Sequence, residues 1–406
     1  MAALSASIAG RPGGMNPAGW IAAALVIVGL LYFGQSIGVN QAALFLVGGL
    51  LGVALYHAAF GFTSAWRVFI TDRRGRGLRA QMIMLAIAVA LFFPVLEAGS
   101  IFGNNVNGFV APIGVAVVVG SFLFGVGMQL GGGCASGTLF TAGGGNMRMV
   151  VTLIGFILGS VIATHHVHWW WDQPAFDAVS VVSSLGLTGG LALSFALFAT
   201  IYGLTVLLEK RRHGGLEQPA AAERAGWTRF LRGPWPLIWG AVALAVLNFI
   251  TLILAGRPWG ITAAFALWGA NAFEAVGIQV GHWEYWQLPH NAQALQASVF
   301  QDVTSVMNFG LILGALIAAS LAGRFAPSLR IPFRPLLAAI IGGILLGYGA
   351  RLAFGCNIGA YFSGIASGSL HGWVWMIFGF LGNMAGVKLR PWFFGDEAPR
   401  TQPSGC

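Results

Sequence analysis

The chain has 406 residues, of which 57% are hydrophobic and only 8% charged, with 60 glycines and a mean hydropathy of +0.78. A soluble domain carries about 25% charged residues, so there is too little polar surface here to coat a water-exposed globule. The formal charge of +9 would hint at nucleic acid in a soluble protein. Here the basic residues sit in short clusters between apolar runs, a topology signal that argues against a nucleic-acid partner.

Apolar runs of about 20 residues are long enough to cross a bilayer as helix. Ten are read in chain order, over 17–36, 41–59, 80–98, 112–130, 147–164, 184–208, 236–256, 298–323, 335–354 and 370–388. Four further apolar stretches, near 60–70, 132–145, 258–276 and 356–368, are too short or too glycine-rich to cross alone. They read as re-entrant or half-membrane segments. The fold class is therefore an all-α polytopic membrane protein lying in the lipid bilayer.

The basic residues orient the spans. Arg11, Arg73 to Arg79, Lys210 to Arg232, Arg324 to Arg334, and Lys388, Arg390 and Arg400 hold 17 of the 21 Lys and Arg. All 17 fall on one side of a ten-span chain, which the positive-inside rule makes cytoplasmic, with both termini. Loops 99–111 and 165–183 contain neither Lys nor Arg, and Trp169, Trp170 and Trp171 mark the opposite interface. The run after Arg11 reads as a retained helix, not a cleaved signal peptide.

An internal repeat follows from two stretches, GVGMQLGGGCASGTLFT at 125–141 and GYGARLAFGCNIGAYFS at 347–363. At a constant offset Gly125, Gly127, Leu130, Gly133, Cys134, Gly137 and Phe140 meet Gly347, Gly349, Leu352, Gly355, Cys356, Gly359 and Phe362. Gln129 meets Arg351. A weaker pair, Phe60-Gly61-Phe62-Thr63 and Trp259-Gly260-Ile261-Thr262, comes in the same order in each half. Spans two to five enter from the opposite side to spans seven to ten, so the repeats are inverted, a plan shared by many transporters. The expected organisation is an extra N-terminal helix at 1–40, a first repeat at 41–183, and an extra helix with a flexible linker at 184–235. A second repeat at 236–395 and a polar tail at 396–406 complete it.

Glycines beside each cysteine let the backbone turn and leave peptide groups free to face a cavity. A half-helix N-terminus there suits an anion. Cys134 and Cys356 offer weak donors and polarisable sulfur, suited to a sulfur-containing solute, and Arg351 is an intramembrane charge expected to face a cavity. Cys406 lies in the tail and reads as incidental. His165, His166, His168 and Asp172 read as interfacial, and no metal or cofactor is expected. Glu97, Glu274 and Asp302 are candidates for a proton relay. Gly155-x-x-x-Gly159 and Gly310-x-x-x-Gly314 read as close helix packing.

These motifs, above all GCNIGAYFSGIASGS with HGWVWMIFGFLGN downstream, resemble the YeeE/YedE sulfur-transport family over about 40–395. The Trp-rich stretch in the second half is closer to its YedE branch than to the compact thiosulfate permeases. The resemblance implies a bacterial inner-membrane permease with four short helices around a central constriction, taking up thiosulfate or a related reduced sulfur anion past intramembrane cysteines. Cys356 would be the periplasmic-side contact and Cys134 a later one. Gly133, Gly137, Gly355, Asn357, Gly359, Arg351, Thr63 and Thr262 complete the expected pathway. The YedE branch adds selenium compounds as an alternative solute and a cytoplasmic TusA-like sulfur carrier as partner. A competing reading from another class is a membrane sulfurtransferase or thiol oxidoreductase, in which a cysteine forms a persulfide or disulfide.

Overall fold

The computed structural model describes residues 15–218, 224–327 and 329–395. Arg11, the tail 396–406 with Arg400 and Cys406, and the centre of the linker lie outside the described residues. Among the described residues, ten helical stretches are long and apolar enough to span a membrane, matching the ten runs of the sequence. The chain is a multi-pass membrane protein.

The first half opens with α1 (Pro17–Ser36), started by Asn16, whose side chain accepts from the Gly19 amide at 2.9 Å, and by a proline in the first turn. There follow α2 (Val39–Ala58), the short α3 (Phe62–Asp72), α4 (Arg76–Ala98), α5 (Val115–Gly131), the short α6 (Ala135–Gly143) and α7 (Met147–Trp171). The second half holds α8 (Val181–His213), α9 (Gly226–Arg232), α10 (Leu237–Ala255), α11 (Thr262–Ala275), the small α12 (Glu284–Gln287) and α13 (Pro289–Gln296), α14 (Val303–Ala322) and α15 (Phe333–Leu352). A π-helical turn (Asn357–Phe362) runs into α16 (Ser363–Ala366), and α17 (Leu370–Phe394) closes the chain. All four short segments expected from the sequence are separate helices beginning after a break in a longer one.

Packing partners are exchanged between the halves. Helix α7 packs on α15 as α17 packs on α5; α2 packs on α14 as α10 packs on α4; α11 lies on α7 as α3 lies on α17. The pairs α5·α15 and α2·α10 sit at the centre of this exchange. Even α1 and α8, read from sequence as additions, take matching places, α1 against α14 and α8 against α4.

Glycine makes the closest crossings possible, since without a side chain two helix backbones can touch. A Cβ at Gly310 or Gly314 would strike the Phe45 or Gly49 carbonyl of α2. One at Gly155 or Gly159 would meet the Ile340 or Ile344 carbonyl of α15. Both glycine pairs noted in the sequence are therefore helix-packing contacts.

The loops fall into two groups. At the basic end, Arg79 donates to Glu209 at 2.6 Å and Arg74 lies 3.4 Å from it, while the Gly75 and Glu217 amides also donate to this carboxylate. Glu209 is fully buried, and so clamps the end of α8 onto the α3–α4 loop. On either side of the linker's undescribed centre, α8 continues to His213, α9 is helical, and the Trp235 amide donates to the His57 carbonyl at 2.8 Å. At the opposite, aromatic end, residues 280–296 fold as small helices against α7. There His168 Nδ1 lies 3.2 Å from Glu284 and His165 packs on Trp283.

Candidate functional site

Each short helix begins where a long one stops, and the π-turn after Cys356 contacts α6 and the start of α3, while Ser363 beyond it reaches the break before α11. Cys134 precedes α6 with φ −85°, ψ −169°, and Cys356 precedes the π-turn with φ −111°, ψ −168°. The two cysteines thus share one extended backbone conformation at the start of their short helices, as the repeat requires. Both are free thiols with at most 1% exposure.

Local hydrogen bonds fix each thiol. Cys134 Sγ lies 3.4 Å from the Ser136 hydroxyl, and the Thr138 amide and hydroxyl both donate to the Cys134 carbonyl at 2.8 Å. The Ile358 amide donates to Cys356 Sγ at 3.4 Å, and the Ala360 and Tyr361 amides donate to the Cys356 carbonyl. The second of these is an i to i+5 bond, which widens the first turn to π geometry. Just before Cys356, Gly355 holds φ +149°, and a Cβ there would lie 2.9 Å from the Ala360 amide. Gly133 is crowded in the same way by the Thr138 amide at 3.1 Å, and Gly137 is buried in the first turn of α6.

Buried polar side chains brace the breaks where helix hydrogen bonds are missing. Asn308 donates to the Ile261 carbonyl at 3.0 Å, and Asn248 accepts from the Trp259 amide at 2.8 Å. Ser363 donates to the Trp259 carbonyl at 2.7 Å, tying the 258–261 break to α16. Gln129 donates to the Thr63 carbonyl at 3.2 Å and to Asn383 at 2.6 Å. Tyr361 stacks on Trp375, meets Phe62 and Trp66 edge-on, and donates to Gln81 at 3.5 Å. That ring joins the Cys356 break to the start of α3. The sequence reading assigned no role to Tyr361, Gln81 and Asn248, and took Trp259 only as part of the weaker repeat. Its available signal was a polar residue inside an apolar run.

Among the buried polar atoms without a protein partner are Thr63 Oγ1, Trp259 Nε1 and both Nδ2 and Oδ1 of Asn357, besides Gln129 Oε1 and Asn308 Oδ1 on the bracing residues. Thr63 and Asn357 belong to the expected pathway, and each is at most 1% exposed. An unsatisfied buried amide costs about 1–3 kcal/mol, a cost that a polar guest would relieve. Thr262, the first residue of α11, is also buried.

Arg351 is placed differently. It ends α15 and donates to the Tyr285 hydroxyl at 2.7 Å, with its guanidinium 5.8 Å from that ring. Its Nε has no partner, and among the described residues no carboxylate lies within ion-pair reach. It therefore faces the aromatic cap at 280–296. Of the acids offered for a proton relay, Asp302 caps α14 through the Ser305 amide at 2.7 Å, Glu274 accepts from the Gly281 amide at 2.8 Å, and Glu97 lies in the last turn of α4.

From the basic end a cavity of about 1080 Å³ reaches in to Phe60, Gly61, Gln81, Phe140 and Thr141. Among the described residues eight arginines line it, including Arg74, Arg76, Arg148 and Arg324, with Glu217 the one acidic residue in its wall. A low-dielectric cleft walled by one sign of charge concentrates counter-ions, here anions.

A family described as Sulphur transport matches residues 57–385. The chain belongs to this family. Over 356 residues it is 30% identical to a thiosulfate transporter, TsuA, of Spirochaeta thermophila, covering 85% of this chain and 98% of that one. The Escherichia coli thiosulfate transporter TsuA is 24% identical over 83% of this chain and 91% of its own. The probable transporter YedE of Escherichia coli is 33% identical over 156 residues, 38% of this chain and 37% of that one. Resemblance to both branches of the sulphur-transport family thus holds, and the matched region contains both cysteines and all four breaks.

Proposed function

We propose that this protein carries a small reduced-sulfur anion of the thiosulfate class through the membrane, along a route past Cys356, Asn357 and Cys134. The carrying observation is the set of unpartnered buried polar atoms at the breaks, next to two free thiols at matching positions of the two halves. Soft sulfur contacts and amide or hydroxyl groups together suit an anion with both sulfur and oxygen on its surface. The arginine-lined cavity adds a field of the right sign. The exchanged packing supports two inverted repeats, extended to five spans each by α1 and α8, with the short helices as half-membrane segments.

The positive-inside rule places the basic end in the cytoplasm of a bacterial inner membrane. Arg351 then lies at the outer mouth as a first attraction for the anion. A TusA-like carrier would receive sulfur at the arginine-lined mouth, and selenium analogues would use the same contacts. Transport, not persulfide or disulfide chemistry, is preferred because each thiol sits against neutral hydroxyl or amide groups, with no base bonded to it.

Uptake of labelled thiosulfate into vesicles tests the reading. Cys356→Ala and Cys134→Ala are each expected to lower flux at least tenfold with unchanged folding. Cys356→Ser should retain more than alanine, since a hydroxyl keeps a donor and an acceptor. Serine as inactive as alanine would favour covalent sulfur chemistry, and flux unaffected by both alanines would reduce the thiols to packing residues.

A further inference from the structure

Most interior glycines of this chain have an evident cause, either a left-handed backbone or a neighbouring helix that a Cβ would strike. Two beside the Cys356 break have neither. Gly260 and Gly359 lie outside the left-handed region. A Cβ built on Gly260 meets nothing within 4 Å, and one on Gly359 meets only the Gly260 Cα, at 3.9 Å. Each is half-buried, although the residues on both sides of each are buried. In such places alanine fits and removes unfolded-chain entropy, stabilising by roughly 0.4–1 kcal/mol. Neither backbone nor packing calls for glycine.

What surrounds the gap gives it a use. Gly260 follows Trp259, whose Nε1 is unpartnered, and Gly359 lies two residues beyond Asn357, whose whole amide is unpartnered. Cys356 caps the turn that carries Gly359. The break that carries Gly260 follows the end of α10, where the Gly256 carbonyl accepts from the Asn107 amide of the 99–111 loop at the aromatic end. In the first half, Gly260 corresponds to Gly61 and Gly359 to Gly137. Gly61 lines the arginine-rich cavity leading in from the basic end. The halves therefore carry glycine at matching positions of their breaks.

We infer that Gly260 and Gly359 form a side-chain-free slot, the inlet through which a small anion reaches Cys356 and Asn357 from the aromatic end. The inference rests on the transport reading for the identity of the anion, though not for the existence of the opening. Glycine is kept at both positions for width: one methyl group on either wall narrows a passage sized for a thiosulfate-like ion.

The test uses the full chain in sealed vesicles of each orientation. The small membrane-impermeant thiol reagent 2-sulfonatoethyl methanethiosulfonate is added outside, and labelling of Cys356 is followed by peptide mass spectrometry, which separates it from Cys134 and Cys406. Gly260→Ala and Gly359→Ala should keep or raise the thermal midpoint. Each should slow Cys356 labelling at least tenfold in the orientation that exposes the aromatic end, and lower thiosulfate flux in parallel. Gly203→Ala on the exposed face of α8, where a Cβ also meets nothing within 4 Å, should change none of these.

Labelling unchanged by both alanines would overturn the slot. So would an unaltered protein whose Cys356 is unreachable from the aromatic end, or a fall in midpoint showing that the glycines serve packing. Labelling slowed by alanine in a protein that moves no thiosulfate would leave the slot standing and refute the transport reading alone.

Discussion

Asn357 is the residue at which fold and function pull apart. A buried amide with no partner is a cost to the resting protein, and it persists where something outside the chain uses it. Asn357→Leu, close in volume and with no polar atom, is expected to leave the thermal midpoint unchanged or raised. Thiosulfate flux should fall at least tenfold. A lower midpoint with unchanged flux would make Asn357 a structural residue. The position was legible in the sequence because it follows the repeated Gly-Cys pair. Trp259 and Tyr361 were not: each bonds or stacks with residues more than a hundred positions away or on another helix, such as Ser363 for Trp259 and Trp375 for Tyr361. No local spacing encodes such partners.

At the scale of elements, span number and the four short helices could be read directly, because bilayer thickness sets the length of a crossing helix and glycine marks where one breaks. The packing order could not. Which helix meets which is decided by glycine faces such as Gly310 and Gly314 against α2, and the sequence shows the face without naming its partner. The described parts of the linker are tied down by a few specific bonds. Glu209 is the chief of these, buried with Arg79 at 2.6 Å and two backbone amides. Removing one member of a buried pair leaves the other charge uncompensated, at about 3–5 kcal/mol. Glu209→Gln should therefore lower the thermal midpoint measurably in detergent. The exposed Glu284 against His168 should not matter to that extent, because exposed pairs contribute about 0–1 kcal/mol. Equal effects of Glu209→Gln and Glu284→Gln would contradict this ranking.

For the whole molecule, charge and packing are separate arguments for the proposed arrangement. Counting Lys and Arg uses no contacts, yet it separates the loops into the same two groups that the helices produce by alternating through the bundle. The exchange of packing partners uses no charges, and it fits the proposal that the two halves enter from opposite sides. If the charge rule holds, residues 73–75, 144–146, 214–218 and 324–327 face the cytoplasm and 99–111 and 172–180 face outward. Single cysteines placed at Gln173 and at Glu217 in a chain otherwise free of cysteine separate the cases. An impermeant maleimide applied to intact cells should label the first and reach the second only after the membrane is opened. Outside labelling at Glu217 would reverse the molecule, so that the arginine-lined cavity would collect anions from the exterior and Cys134, not Cys356, would meet them first. Labelling of both from outside would break the alternation of spans and, with it, the inverted relation between the halves.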